Sequence, residues 1–214
     1  MNTKILEGYH ATYLKKAESI LQGGFEDSIS DEKKLEWLGD GVYFWEEDYY
    51  AVQWNIISME KEKKETQISD YAILKAVIKV NASRMIDISS PEGGVVFNRL
   101  KEELIKKYEK DGREEIVKRL KNRSSKFWIN VLEDGGFFKD FDVITAIYKN
   151  EKNIEKYKDD IVLNVQRQIC VKNKDCIKSV KLYNQKERIL NLYSIILKKR
   201  KDYYEKDKKD LKKS

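Results

Sequence analysis

The sequence contains one proline, one histidine and two cysteines among its 214 residues. A single proline and the lack of Gly/Ser-rich runs argue against two domains joined by a flexible linker, so we expect one domain over residues 1–214. A structural zinc site takes about four nitrogen or sulfur ligands, and this composition predicts no metal. Cys170 and Cys176 form no C-x-x-C motif, and we expect both to be structural, reduced thiols.

Long apolar runs are also missing, so no segment of about 18 apolar residues is present to cross a membrane. The N-terminal stretch "MNTKILEGYHATYLKK" has neither the apolar core nor the small-residue cleavage site of a signal peptide. We therefore expect a cytoplasmic protein. Apolar residues make up 41% of the chain, which is enough for a folded core despite the 37% of charged residues.

Positive charge is concentrated at the C-terminal end. The basic tail, residues 198–214, has nine basic and four acidic side chains, whereas the whole chain has a net charge of only +6. Such a tail can neutralise nucleic-acid phosphates. The alternative is a solvated, fraying helix end.

Hydrophobic periodicity predicts an α+β fold, because strands come from distant parts of the chain with helices before, between and after them. The predicted strands are "KILEGYHAT", "GVYF", "YAILKAVIKV", "RMIDI", "FDVITAIY", "DIVLNVQRQICV" and "CIKSVKLY". A first helix is expected at "TYLKKAESILQGGF", with Tyr13, Ala17, Ile20 and Leu21 on its inner face, and a second after Asp48 as its N-cap. Helical spacing over about 96–133, with breaks at Asp111-Gly112 and near Ser124-Ser125, predicts an inserted group of two or three helices. The stretch "KERILNLYSIILKKRKDYY" predicts a closing helix.

The first candidate site is "EGYHAT", where His10 ends a strand just before a helix. Strand ends commonly present side chains to ligands, and an imidazole can hydrogen-bond to a sugar hydroxyl. The small Ala11 and Thr12 beside it leave room for a ligand to reach the backbone. The alternative is a histidine that is satisfied within the core.

The second candidate is "LGDGVYFWEEDYYAVQW", which follows two glycines with six aromatic residues. Gly39 and Gly41 allow a tight turn and close backbone approach. Tyr43 and Phe44 point to opposite faces of a strand, so Tyr43 can face a cleft while Phe44 enters the core. A ring from the following helix, Tyr50, is then available to stack. Trp54, like Phe44, is expected mostly in the core, and the alternative places all these rings there.

The third candidate is "NVQRQICV", in which Gln166 and Gln168 share one face of a predicted strand and Arg167 takes the other. Two amides just before an apolar stretch indicate a polar cluster at the edge of a cleft. The alternative is an ordinary strand end with solvated polar residues.

Together these stretches resemble the ADP-ribosyltransferases, in the branch of poly-ADP-ribose polymerases and diphtheria toxin. "YHAT…ILQGGF" resembles that family's Tyr-His-Gly-Thr element, which is followed by a helix and Gly-Phe, and "GDGVYFWEEDYYA" resembles its Gly-x-Gly-(Ile/Val)-Tyr-Phe element. "QICV" takes the place of its Glu-Tyr-Ile-Val element, so Gln168 stands where the family has glutamate. The resemblance covers residues 9–54 and about 164–183, and it implies a split antiparallel β-sheet.

The resemblance implies that NAD is the co-substrate and assigns roles to the matching residues. His10, Tyr43 and Gln168 would form the catalytic set. His10 would hold the adenine-side ribose, the Ala11 backbone would bind the nicotinamide carboxamide, and Tyr43 and Tyr50 would enclose the nicotinamide ring. Further contacts to NAD are expected from Thr12, Gly41 and Phe44.

Glutamine at position 168 departs from the family pattern. Its amide can accept a bond from a ribose hydroxyl, but it offers only a dipole to the developing cation, where a carboxylate offers a charge. We therefore expect mono-ADP-ribosylation rather than chain elongation. Gln166 and Glu46 are auxiliary candidates, although Glu46 and Glu47 also suit the first turn of a helix, where the dipole favours acids.

The acceptor is expected to be a protein or a nucleic acid, with the basic tail favouring the latter. A single transferase domain of this kind resembles bacterial toxins and phage-defence effectors, and a toxin implies a neutralising antitoxin. Three other interpretations stay open: a silent NAD-binding module, an interaction protein, and an RNA 2′-phosphotransferase on the same fold. The lack of a second histidine and of a clear arginine set argues against the last.

Overall fold

The structure, a computed structural model, describes residues 2–28, 36–62, 67–120, 123–149 and 165–211. Within these ranges it is a mixed α+β fold. The strands are β1 Thr3–Tyr13, β2 Val42–Trp45, β3 Tyr71–Asn81, β4 Met85–Asp87, β5 Val143–Lys149, β6 Val165–Val171 and β7 Ile177–Leu182. The helices are α1 Leu14–Gly23, α2 Asp48–Glu62, α3 Pro91–Lys110, α4 Glu114–Leu120, α5 Ser125–Asp134 and α6 Lys186–Leu211.

The seven described strands form one sheet in the order β4-β5-β6-β2-β1-β3-β7. All neighbours are antiparallel except β4 and β5, which run parallel. Each predicted strand is confirmed in type, although residues 160–164 of the sixth lie outside the described ranges. Residues 29–35, which precede β2, also lie outside the described ranges.

Strand β1 is longer than its sequence indicates. It was expected to end near His10, but it continues to Tyr13 because it stays paired with β3 from Thr3↔Asn81 to Tyr13↔Tyr71. Tyr13 therefore belongs to a strand and not to the inner face of α1. Of the four residues expected on that face, Ala17 and Ile20 are buried, whereas Tyr13 and Leu21 are exposed.

The two faces of the sheet carry different helices. One face packs with α1 around Phe44, Leu74 and Ile169, and we call it the α1 face. The opposite face carries two helix groups. Helices α3, α4 and α5 pack there around Ile144 and Cys170, while α2 and α6 pack around residues of β1, β2 and β3.

The inserted helices occupy 91–134, slightly more than the 96–133 expected. Helix α3 begins earlier because Pro91 is in its first turn and the Ser90 side chain caps the backbone N–H of Gly93 at 3.0 Å. The predicted break at Asp111-Gly112 is confirmed, with Gly112 at φ +69°. The Ser124 side chain caps α5, which confirms the second break.

Helices α2 and α6 are joined at their N-terminal ends by an ion pair. Asp48 is the first residue of α2, and its buried carboxylate accepts from the Arg188 guanidinium and from the Tyr183 hydroxyl at 2.7 Å. Burial alone would raise the pKa of Asp48, but the bonds from Arg188 and Tyr183 lower it overall. Asp48, which was expected as the N-cap of α2, thus also holds the start of α6 against α2.

Cys170 and Cys176 are free and buried, as expected of structural thiols. Burial raises the pKa of the Cys170 thiol to about 12.

The backbone of the basic tail continues α6 to Leu211, and residues 212–214 lie outside the described ranges. None of the described helices combines the length and apolarity that a membrane crossing requires.

Candidate functional site

The three strands that carry the candidate residues are neighbours at the centre of the sheet, in the order β6-β2-β1. Trp45 of β2 pairs with Tyr9 on one side and with Gln168 on the other. Paired residues point to the same face, and alternate residues share it. Ala11 and Tyr43 therefore lie on the same face as Gln168. Ala11 packs against the group of α2 and α6, and Tyr43 against the group of α3, α4 and α5.

Strands β1 and β2 separate immediately after their meeting point. Across the described parts of both strands, the pairing consists of Tyr9↔Trp45 alone. Beyond it, the edge of β1 at Ala11 and Thr12 is paired with β3 but not with β2. Within the described strands, this split leaves the backbone of β1 at Ala11 and Thr12 unpaired with β2. The sequence predicts that a ligand binds the Ala11 backbone at this place. Thr12 is half-buried and points to the α1 face, as His10 does.

His10 bridges the split from the α1 face. Its Nδ1 lies 2.8 Å from the carbonyl oxygen of Tyr43, and its ring contacts Phe25 and Phe44 edge-on at 5.1 and 5.9 Å. Because a carbonyl only accepts, Nδ1 carries the proton and Nε2 of the neutral ring is an acceptor. His10 thus has a structural bond, and its Nε2 is an acceptor on the face of the sheet opposite to Tyr43 and Gln168. The structure therefore does not bring the three expected catalytic side chains to one face.

The position of His10 predicts a pH-dependent component of stability. Burial lowers the pKa of His10 below 6.5, despite the opposing bond to Tyr43. Below pH 6.5 the unfolded chain therefore binds more protons than the folded one, so stability should fall as the pH decreases from that value. Urea unfolding between pH 7.5 and pH 5 measures this slope. His10→Asn, which keeps a donor but does not titrate, should show a shallower slope; an equal slope would contradict the assignment.

Tyr43 is fixed by the turn that precedes its strand. Its hydroxyl donates to the carbonyl oxygen of Gly39 at 2.6 Å and accepts from the backbone N–H of Leu38 at 2.7 Å. Burial raises the pKa of this phenol above its usual value. The hydroxyl is thus engaged within the protein, so contact with a ligand would come from the ring.

Protein atoms fill the space beside both glycines of the turn. Gly39 has φ +75° and Gly41 has φ +145°. A Cβ at Gly39 would overlap the carboxylate of Glu133, and one at Gly41 would lie 2.7 Å from the Cys170 Sγ and from the Val171 carbonyl oxygen. Gly41 was expected to leave room for a ligand, but atoms of Cys170 and Val171 in β6 fill that space.

The two glutamines differ in their hydrogen bonds. Gln166 is buried and its Nε2 donates to the Oε1 of Gln53 on α2 at 3.1 Å. Gln168 is half-buried, and its Oε1 is buried with no hydrogen-bond partner in the described part of the chain. An unsatisfied buried acceptor costs about 1–3 kcal/mol. This oxygen is therefore a position where a donor from a ligand would be favourable.

Glu46 does not supply the carboxylate that Gln168 lacks. Its Oε2 lies 3.3 Å from the Nε of Arg167, which also donates to Asp87. Arg167 and Gln168 are adjacent in β6, so they point to opposite faces of the sheet. The auxiliary role expected for Glu46 is therefore wrong: its carboxylate is held on the α1 face.

The aromatic rings on α2 depart from the expected arrangement. Tyr50 of α2 is buried beside Trp45, with ring centroids 6.1 Å apart. It belongs to the apolar cluster that α2 and α6 form against the sheet. Tyr43 packs instead with the group that contains α3 and α5. The two rings expected to enclose nicotinamide thus lie in different clusters. Phe44 is buried in the core on the α1 face, opposite to Tyr43, which leaves it away from the NAD contact expected of it. Trp54 is 46% exposed and not buried.

A cleft of about 290 Å³ lies beside the helical insertion. It contains none of the residues predicted for the site. Its lining residues are Glu133, Gly136, Phe138, Lys139, Phe141, Asp142, Lys172 and Asn173. Glu133 and Lys172 also lie against Gly39, in the turn of residues 38–41 that precedes β2 and is called here the Gly39 turn. No local pattern in the sequence indicates this contact.

Comparison with known proteins gives a relative but no activity. The chain is 24% identical over 206 residues to "Uncharacterized protein MJ0359" from Methanocaldococcus jannaschii, a match that covers 85% of this chain and 88% of the relative. No family model matches the sequence, and no solved structure matches it. The likeness therefore extends over most of both chains, and the chemistry has to be argued from the site.

Proposed function

We propose that this chain is an NAD-dependent mono-ADP-ribosyltransferase domain that modifies a protein or nucleic-acid acceptor. One observation supports this most directly: the strands of the three motifs are adjacent, and β1 parts from β2 just where the motif residues lie. Such a split brings the free edge of β1, the Tyr43 ring and the Gln168 amide to one face.

Each residue then has a role that follows from its surroundings. The Nε2 of His10 accepts from a ribose hydroxyl, and the backbone at Ala11 hydrogen-bonds the carboxamide. The ring of Tyr43 stacks on nicotinamide, because its hydroxyl is held by Leu38 and Gly39. The unpartnered Oε1 of Gln168 accepts from a hydroxyl of the reacting ribose.

The reaction exchanges one bond at the ribose. The bond between the ribose C1′ and the nicotinamide nitrogen breaks, its electron pair leaves with nicotinamide, and positive charge develops on the sugar. A nucleophilic atom of the acceptor then bonds to C1′ and loses its proton to solvent. Orientation and stabilisation of the cation supply the catalysis, and a neutral amide at position 168 stabilises that cation weakly.

A silent NAD-binding module is the second candidate. It is favoured by the ion pair of Glu46 with Arg167, since no carboxylate of the motif residues then approaches Gln168. Both candidates predict NAD binding, and only the first predicts release of nicotinamide.

The test is incubation of the purified chain with labelled NAD, with nicotinamide release and NAD affinity both measured. The acceptors to supply are water, a protein mixture and single-stranded oligonucleotides. Tyr43→Ala should weaken NAD binding about tenfold, because loss of ring stacking costs about 0.5–1.5 kcal/mol beyond lost area. Tyr43→Phe keeps the ring but loses the hydroxyl bonds to Leu38 and Gly39, so its NAD affinity should lie between that of Tyr43→Ala and that of the original.

The matched control is Tyr108→Ala, which removes a half-buried tyrosine that packs against the same helix group as Tyr43. It should leave NAD affinity unchanged. Binding without nicotinamide release would favour the silent module. If the unmodified chain does not bind NAD under any of these conditions, both candidates are wrong.

A further inference from the structure

The helical insertion reaches the turn before β2 through one side chain, Glu133. This residue lies in the last turn of α5, and its Oε2 accepts from the backbone N–H of Asp40 at 2.7 Å. Its other oxygen, Oε1, accepts from the Lys172 ammonium just after β6. The side chains of Lys172 and Glu133 are only 13% and 23% exposed, so solvent screens this pair less than a surface pair.

The turn is built to receive this carboxylate. Gly39 has φ +75°, and a side chain there would overlap the Oε2 of Glu133. The same turn holds Tyr43, since the Gly39 carbonyl oxygen and the Leu38 N–H both bond its hydroxyl. A continuous set of bonds therefore runs from Lys172 through Glu133 and the turn to the Tyr43 ring.

We propose that Glu133 is a positioning residue, through which the helical insertion holds the Gly39 turn and thereby sets the place of the Tyr43 ring. This inference rests on the proposed function, in which that ring stacks on nicotinamide. Glu133 itself touches no reacting atom. Its removal should therefore weaken NAD binding by loosening the turn, while the chemical step changes less.

Two variants of Glu133 and one control test the two bonds that this side chain makes. Glu133→Ala removes both, and should raise the KM for NAD about tenfold with a smaller change in kcat. Glu133→Gln keeps an acceptor for the Asp40 N–H but loses the charge, so its effect should be intermediate. Glu115→Ala is the control, because Glu115 forms an exposed pair with Lys118 on α4 of the same insertion.

Amide hydrogen exchange provides a readout that does not depend on NAD. In the unmodified protein the Asp40 amide should exchange slowly, and Glu133→Ala should speed exchange at Asp40 and at Leu38 relative to Glu115→Ala. Fast exchange at Asp40 in the unmodified protein would overturn the inference even if the variants do not fold. The inference would also be overturned by a folded Glu133→Ala protein whose Asp40 exchange rate and KM equal those of Glu115→Ala. If the unmodified protein shows slow exchange but does not bind NAD, the proposed function fails while the link between Glu133 and the turn stands.

Discussion

If the chain has the proposed transferase activity, glutamate in place of Gln168 is expected to speed nicotinamide release by about a hundredfold, the lower end of the scale on which a single well-placed polar group stabilises a transition state. A carboxylate offsets the positive charge that develops on the ribose, whereas the amide offers only a dipole. The Oε1 of Gln168 is buried without a partner in the described residues. Burial raises the pKa of a carboxyl at such a place, so the gain should grow as the pH rises and the new group ionises.

The measurement is the rate of nicotinamide release by Gln168→Glu between pH 6 and pH 9, beside that of the unmodified chain. Gln166→Glu is the matched control, since it adds the same charge two residues away on the same face, at a side chain that bonds Gln53. It should not accelerate the reaction. A folded Gln168→Glu protein with unchanged or slower release at every pH would show that position 168 is not the site of charge stabilisation.

Substitution of Gly39 by alanine is expected to lower the free energy of unfolding by about 3–5 kcal/mol. The left-handed conformation of Gly39, at φ +75°, costs a residue with a Cβ about 1–2 kcal/mol. The new methyl group would also displace the Glu133 carboxylate from the Asp40 N–H and from Lys172. A hydrogen bond to a charged group contributes about 1.5–3 kcal/mol, and the total counts the loss of one such bond, because the flexible ends of Glu133 and Lys172 can shift and stay paired with each other.

Gly112 provides the control that isolates the second effect. It has nearly the same backbone conformation, φ +69°, but a Cβ there would meet no atom within 4 Å. Gly112→Ala should therefore cost only the conformational part, about 1–2 kcal/mol. Urea unfolding of both variants gives the comparison. Equal losses of stability would mean that Glu133 moves aside at no cost, and that the packing against Gly39 contributes nothing.

Local sequence patterns were sufficient where the pattern itself sets the structure. Alternating apolar residues and β-branched side chains predict β3 correctly, because such side chains pack well on the faces of a sheet. The glycine at position 112 and the serine at position 124 mark helix boundaries, since these residues act through their own backbone or side chain. The partition of Phe44 to the core also follows from simple alternation.

Long-range contacts explain the predictions that are wrong. Trp54 was expected in the core, but the strip of α2 that faces the sheet is made by Ala51, Val52 and Ile56. Glu46 was a candidate for the site, but its carboxylate forms an ion pair with Arg167 of β6. Tyr50 and Tyr43 were expected to face each other, yet separate helix groups cover them. Each outcome depends on which distant element packs against a residue, and periodicity carries no such information.

Local conformational preferences are enough to predict the strands, most helix boundaries, the α+β class and the three motif stretches. The adjacency of the three strands that carry these stretches, and the separation of β1 from β2 after Tyr9, are seen only in the folded structure. The folded structure also shows that Glu133, in a helix of the insertion, fills the space left by Gly39. The physical reason is the same in each case: strand order and side-chain contacts between distant segments are fixed by packing of the whole chain, and no local preference encodes them.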